Sequence, residues 1–303
     1  MTDIEVKTSF SKTSLDVSAQ TAKIVGRGLV CDPGKLSDLL QRVSYYRFSG
    51  YLWWFQVGGS DHQLRHGTTL SDVVTLYEFD LKLRLLMLEC IDMIEVWFRS
   101  QFTNHVSEEL GPMAYADPQF FGSRSAFFRD KSKLDERLQP PTEPFIETFY
   151  RKHTNPYPPL WMAAELMSLG LISKWFDNLK VERVRKLVAA SGGLNQAVLS
   201  SYLRQLTVIR NACAHHNRLW NRSFGTGIML AKTGETQLLD ALDGSDETRI
   251  FRALVYTVFM VKKIDPTSNL PGRLRDHLLS GKDEWLTEMD APNGFEDDAL
   301  WAS

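Results

Sequence analysis

Three observations predict an all-α fold. Apolar residues recur with helical rather than two-residue periodicity, β-branched alternation of the strand kind is scarce, and the clearest segment, Leu70 to Leu110, contains no Gly or Pro. Upstream of it, Asp32-Pro33-Gly34 breaks the chain and opens a short helix. Val43 to Phe55 (VSYYRFSGYLWWF) is dense in Tyr and Trp. It reads as core or interhelix packing, with stacking platforms for unpaired bases as the alternative. A Gly58-Gly59-Ser60 turn closes this N-terminal part. The long helix takes Ser71 as its N-cap and stops at Gly111-Pro112. Within it Glu78 and Lys82, Asp80 and Arg84, and Glu95 and Arg99 lie four apart with the acid first, the better orientation for helix support. These charges read as a solvated or helix-pairing face.

Downstream, Leu110 to Pro144 is broken and polar, and His153 to Pro159 is a rigid extended linker. Leu160 to Leu179 is apolar enough for one buried helix, with Gly170 either bending it or admitting a close neighbour. A basic helix spans about Val181 to Ala190. After Ser191-Gly192-Gly193 another runs from Asn195 to about Arg222. Gly225 to Asp246 is a loop or small hairpin, a strong helix covers Glu247 to Ile264, and the acidic C-terminus is expected to fray. The expected organisation is an N-terminal helical extension (1–67), a helical core (68–265) and a short helical, acidic tail (266–303).

The composition, 303 residues with 43% hydrophobic, 24% charged and 3 Cys, excludes collagen-like, wholly disordered and disulfide-scaffold chains. Cys31, Cys90 and Cys213 are far apart and in no C-x-x-C spacing, which fits reduced thiols in a cytosol. MTDIEVKTSF lacks a basic stretch followed by an apolar one, and apolar runs such as Ala253 to Val261 are too short to span a membrane, so a soluble cytoplasmic protein without membrane partners is expected. The net charge of −2 hides asymmetry: seven acids against one base from Lys282 onward, but four Arg, two His and no acid from Tyr202 to Arg222. Such a basic patch is a local device.

No P-loop, H-E-x-x-H, G-x-S-x-G or Gly-rich dinucleotide turn is present. The one segment with convergent polar chemistry is YLRQLTVIRNACAHHNRLWNR, Tyr202 to Arg222. Wound as a continuous helix at about 100° per residue, it places Arg204, His215, Arg218 and Arg222 within about 40° of Asn211, opposite an apolar face of Tyr202, Leu206, Ile209, Cys213 and Trp220. His215 falls in the polar stripe. His216 borders the apolar face and reads as a packing histidine, a secondary candidate only. Arg210 sits beside the stripe, within reach of it through its long side chain. An imidazole that exchanges protons near neutral pH, together with guanidinium groups that bind phosphate oxygens, is a kit for phosphoryl transfer without a metal or other cofactor. In RNA the nucleophile is the internal 2′-hydroxyl, so DNA would be inert.

Ile209 to Arg222 (IRNACAHHNRLWNR) resembles the signature of the Abi-like family, the bacterial abortive-infection proteins of AbiD and AbiF type. Three further blocks agree in order: GLVCDPGKLSDLLQRVSYYRFSGYLWWF, YEFDLKLRLLMLECIDMIEVWFRS and PPLWMAAELMSLGLISKWFDNL. The similarity spans approximately residues 20 to 265. That family in turn resembles the HEPN superfamily of helical bundles, whose metal-independent ribonuclease site pairs an Arg and a polar residue with a downstream His. The resemblance implies that Arg210 stabilises a phosphorane, Asn211 orients the His or the phosphate, and His215 acts as acid or base. It implies a homodimer as well, because such sites commonly form where two modules meet. Arg204, Arg218 and Arg222 are the expected RNA contacts, and an antitoxin or noncoding RNA is a possible further partner. Two other readings stay open: a non-catalytic module that holds a structured RNA or a partner protein, and an interaction role in which the Arg/His stripe pairs with Glu78, Asp80 or Glu95.

Overall fold

The computed structural model describes residues 13–59 and 61–301. Ser60 of the expected turn and the MTDIEVKTSF segment lie outside them. The fold is all-α: the described residues form fourteen α-helices and short 3-10 turns, with isolated bridges such as Phe121 to Leu179 but no strand. The chain divides into two compact units, Met1–Phe79 and Asp80–Ser303, and the division falls within the long helix.

The first unit contains α1 (Val17–Val25), α2 (Pro33–Val43), α3 (Tyr45–Leu52) and the start of α4 (Leu70–Leu110). Asp16 and Asp32 cap α1 and α2 by accepting the N–H groups of Ala19 (2.7 Å) and Lys35 (2.9 Å). The cap of α4 is not Ser71. Thr69 accepts the N–H of Asp72 (3.1 Å) while Asp72 accepts that of Thr69 (3.0 Å), a reciprocal capping box. The aromatic segment packs in part as expected: Phe48, Tyr51 and Phe55 are buried, and Tyr51 meets Tyr77 edge-on at 5.1 Å. Tyr46 and Trp53 are exposed.

The second unit continues α4 and adds ten helices. The segment after Gly111, read as broken, contains α5 (Arg124–Leu138), capped by Ser123, and α6 (Pro144–Lys152). Leu160 to Leu179 is not one helix. α7 (Leu160–Ala163) passes through a 3-10 turn to an extended Met167, and Ser168 then caps α8 (Leu169–Asn178). Carbonyls freed at this break are taken by arginines: Arg99 donates to Met167 O (3.2 Å) and Arg137 to Leu166 O (2.8 Å). Gly170 does admit a close neighbour, since a Cβ there would stand 2.9 Å from Thr207 Cγ2.

α9 (Glu182–Ser191) leads to α10 (Gln196–Ala214), which packs against α8, α9 and, beyond α11 (Thr236–Leu242), α12 (Ile250–Ile264). Residues 250–261 of α12 are buried on every side, the signature of a central core helix. Tyr202 of α10 hydrogen-bonds Thr257 there (3.1 Å). The Gly225 to Asp246 segment is no hairpin. Buried Arg252 donates to Ile228 O (3.0 Å) and Ser245 Oγ (2.9 Å), and Tyr256 donates to Met229 O (2.9 Å), so α12 holds the loop through its carbonyls.

Up to Trp301 the tail is packed rather than frayed. α13 (Leu270–Leu279) and α14 (Asp283–Glu288) are followed by buried Phe295 and Trp301, whose rings meet at 5.1 Å while Trp301 stacks on Phe251 at 5.9 Å. The acids outnumber the bases there, but Trp285, Met289, Phe295, Leu300 and Trp301 bury enough surface to anchor the segment.

Candidate active site

The Arg/His segment begins as predicted and then leaves the helix early. α10 ends at Ala214, with His215 as its C-cap. His216 takes a left-handed φ of 57°, its N–H donates to Cys213 O (3.0 Å), and that of Asn217 donates to Ala212 O (2.8 Å). This bond pair is a Schellman turn. The continuous stripe drawn to Arg222 is therefore interrupted. Arg204, Asn211 and His215 share one exposed side of α10 and its cap, whereas Arg218 and Arg222 are half-buried on the non-helical segment beyond it. Arg222 lies over the Phe224 ring at 5.7 Å. His216 is exposed rather than packed, because the left-handed turn swings it off the apolar face.

Arg210 Nη1 donates to Asn211 Oδ1 at 3.3 Å, and the N–H of His215 donates to Asn211 O at 3.0 Å. The first contact joins two side chains and the second is the helical backbone bond, so the three motif residues stand along one rim, the last turn of α10 and its cap. Arg204 stands apart, paired with Asp177 of α8 at 3.2 Å. Beneath the rim, Cys213 is a packing residue rather than a nucleophile. Burial first, and the negative charge of Asp80 second, push its thiol up to about 12 against the pull of Arg84.

What fixes the turn is a group read in the sequence as part of a solvated or helix-pairing face. Asp80 is fully buried, forms an ion pair with buried Arg84, and accepts the N–H groups of Leu219 (3.0 Å) and Trp220 (2.8 Å) through its other oxygen. Two backbone donors that leave a helix into the core need an acceptor, and Asp80 supplies it. The sequence did carry a signal. Positions 80, 84, 87, 91, 94 and 98 form an i, i+3/i+4 stripe whose other members, Met87, Ile91, Ile94 and Phe98, are buried, so a charge pair on it belongs to the core. Glu95 and Arg99 are partly buried beside the break at Met167.

A family model described as Abi-like protein matches residues 38–221. The chain belongs to the Abi-like protein family. That membership suggests abortive infection, a form of phage defence. The matched region of this Abi-like protein opens in α2, includes Asp80 and Arg84, and closes just after the Leu219-Trp220 turn that Asp80 holds. It is narrower than the expected 20 to 265, and α11 to α14 lie outside it. No curated protein and no solved structure matches the chain. No helix among the described residues is long and apolar enough to cross a membrane.

Proposed function

We propose that this Abi-like protein, of AbiD or AbiF type and HEPN-like in its bundle, is a metal-independent endoribonuclease that cuts RNA in the cytoplasm during phage infection. The observation that carries the reading is the exposed rim on which Arg210 donates to Asn211 and His215 caps the same helix, above a buried carboxylate that fixes the following turn. A base takes the proton from a 2′-hydroxyl, whose oxygen attacks the adjacent phosphorus. The bond to the 5′-oxygen breaks, an acid returns a proton to that leaving group, and a cyclic 2′,3′-phosphate remains. Arg210 neutralises the crowded phosphorane, Asn211 holds Arg210 and the phosphate in register, and His215 moves one proton. Two proton transfers and one motif histidine per chain favour a homodimer in which each copy contributes a His215. Arg218, Arg222 and Arg204 bind flanking phosphates, and exposed His216 borders the same rim.

The test is cleavage of a mixed single-stranded RNA by wild type, Arg210→Ala and His215→Ala. Each variant should lose cleavage by at least about a hundredfold, the usual worth of a positioned acid or base, while keeping its helical circular dichroism. Cutting retained by both variants would sink the proposal. Intact RNA with every protein, accompanied by a shifted band, would replace it with a module that holds RNA without cutting it.

A further inference from the structure

One cleft in the second unit has unmet hydrogen-bonding capacity that the motif does not use. It lies among α8, α9, α10 and the loop before α11, encloses about 330 Å³, and is lined by Asp177, Arg185, Ser200, Arg204, Gly227 and Met229, among others. Arg204 and Asp177 are paired at 3.2 Å, so the carboxylate is already engaged. Arg185 lies with its guanidinium over the Phe176 ring at 5.6 Å, and its Nε–H has no hydrogen-bond partner. Ser200 is 7% exposed, and its hydroxyl also has none. Ser201 beside it is satisfied, accepting the N–H of Met229 at 3.0 Å.

Two arginines and one aspartate line the cleft, and the Glu247 carboxyl packs against Gly227 at its edge. Its orphan groups are an N–H that can only donate and a hydroxyl free to donate, and an unmet donor in a buried site costs about 1–3 kcal/mol. What is missing is an acceptor. A phosphodiester oxygen supplies one, and arginine suits it geometrically. The cleft is also in line with the motif. At 100° per residue Ser200, Arg204 and Asn211 share one side of α10, and Arg204 and Asn211 are separated by about 10 Å of helix. A strand whose scissile phosphate sits at the motif and follows α10 reaches the cleft. Exposed Met229 offers an apolar surface at its edge.

We infer that Arg185, Ser200 and Arg204 form a subsite for an RNA backbone phosphate flanking the scissile one. This rests on the nuclease reading for its choice of RNA, and the orphan donors stand without it. Arg185 and Ser200 are binding residues distinct from the cleavage motif.

The experiment measures affinity for a short 2′-O-methyl RNA, which keeps its phosphodiesters but lacks the attacking hydroxyl. Full-length wild type, Arg185→Gln and Ser200→Ala are compared across a salt series, alongside cleavage of ordinary RNA. Arg185→Gln should bind about tenfold more weakly, as loss of a charged hydrogen bond implies, with a salt slope shallower by about 0.7. Ser200→Ala should weaken binding severalfold with the slope unchanged. Equal affinity in wild type and Arg185→Gln overturns the subsite, whether or not the wild type cuts RNA. If wild type cuts no RNA but Arg185→Gln still loses affinity, the nuclease reading falls and the subsite stands in an RNA binder. Should Arg185→Gln fail to fold, titration of wild type with inorganic phosphate decides: an unperturbed Arg185 Nε–H resonance overturns the subsite.

Discussion

His216 shows how one backbone angle decides what a side chain can do. At φ 57° it ends α10, turns the chain toward the core, and leaves its own imidazole outside. A left-handed residue with a Cβ costs about 1–2 kcal/mol, which glycine does not pay. His216→Val should therefore be less stable than wild type in chemical denaturation by about 1–2 kcal/mol because a branched Cβ fits this region worst. Greater stability of His216→Val would refute the turn. At the same scale the acid-free basic run that holds Arg210, Asn211 and His215 was legible in the sequence, while the choice of those three rested on the family resemblance. The placement of Arg218 on the stripe and of His216 against the apolar face was mis-set because helical winding was carried past a stop that no Gly or Pro marks. The burial of Asp80 and its hold on Leu219 and Trp220 were missed because four-residue spacing to Arg84 looks the same for a surface pair and a core pair.

Among the elements, α4 and α10 carry the contacts on which the site depends. Removing Asp80 would strand Arg84 in the core and leave the Leu219 and Trp220 N–H groups without their acceptor. Asp80→Ala should cost about 3–5 kcal/mol of stability, raise hydrogen exchange over residues 215–222, and abolish cleavage although Asp80 reaches no RNA. By contrast, Glu182→Gln, which breaks the exposed pair with Lys186 at 2.7 Å, should leave the denaturation midpoint where it was. The crossing of α8 and α10 is tested at Gly170. Gly170→Ala should destabilise by about 1–3 kcal/mol because the new methyl meets Thr207 Cγ2, and Thr207→Ser should return most of that loss by removing the obstructing carbon. Additive losses in the double variant would contradict the close approach. Element types were legible wherever periodicity was long, as in α4. Breaks were not: the one at Met167 is held by Arg99 and Arg137 from distant segments, which local propensity cannot report.

Over the molecule as a whole, burial rather than bonding sets the behaviour of the thiols and phenols. Burial pushes Cys90 and Cys213 from 9.0 up to about 12, and raises Tyr115 and Tyr202 as well. Between those values the unfolded thiol has lost its proton and the folded one keeps it. The native state then binds more protons, and stability must fall as pH rises through this window. Thermal unfolding should accordingly drop from pH 8 toward pH 11, and less steeply in Cys213→Ala; an equal drop in both would place Cys213 outside the core. The all-α class was written in the periodicity of the whole chain. The packed tail was not, since its acids mask five buried apolar anchors that matter only once α12 is there to receive them. The central claim is that the rim of α10 performs RNA chemistry. It is tested most directly by incubating wild type and His215→Ala with single-stranded RNA in excess chelator and identifying the new ends. The account predicts cyclic 2′,3′-phosphate ends from wild type and none from His215→Ala. Ends of any other kind, or the same cyclic ends from both proteins, would contradict it.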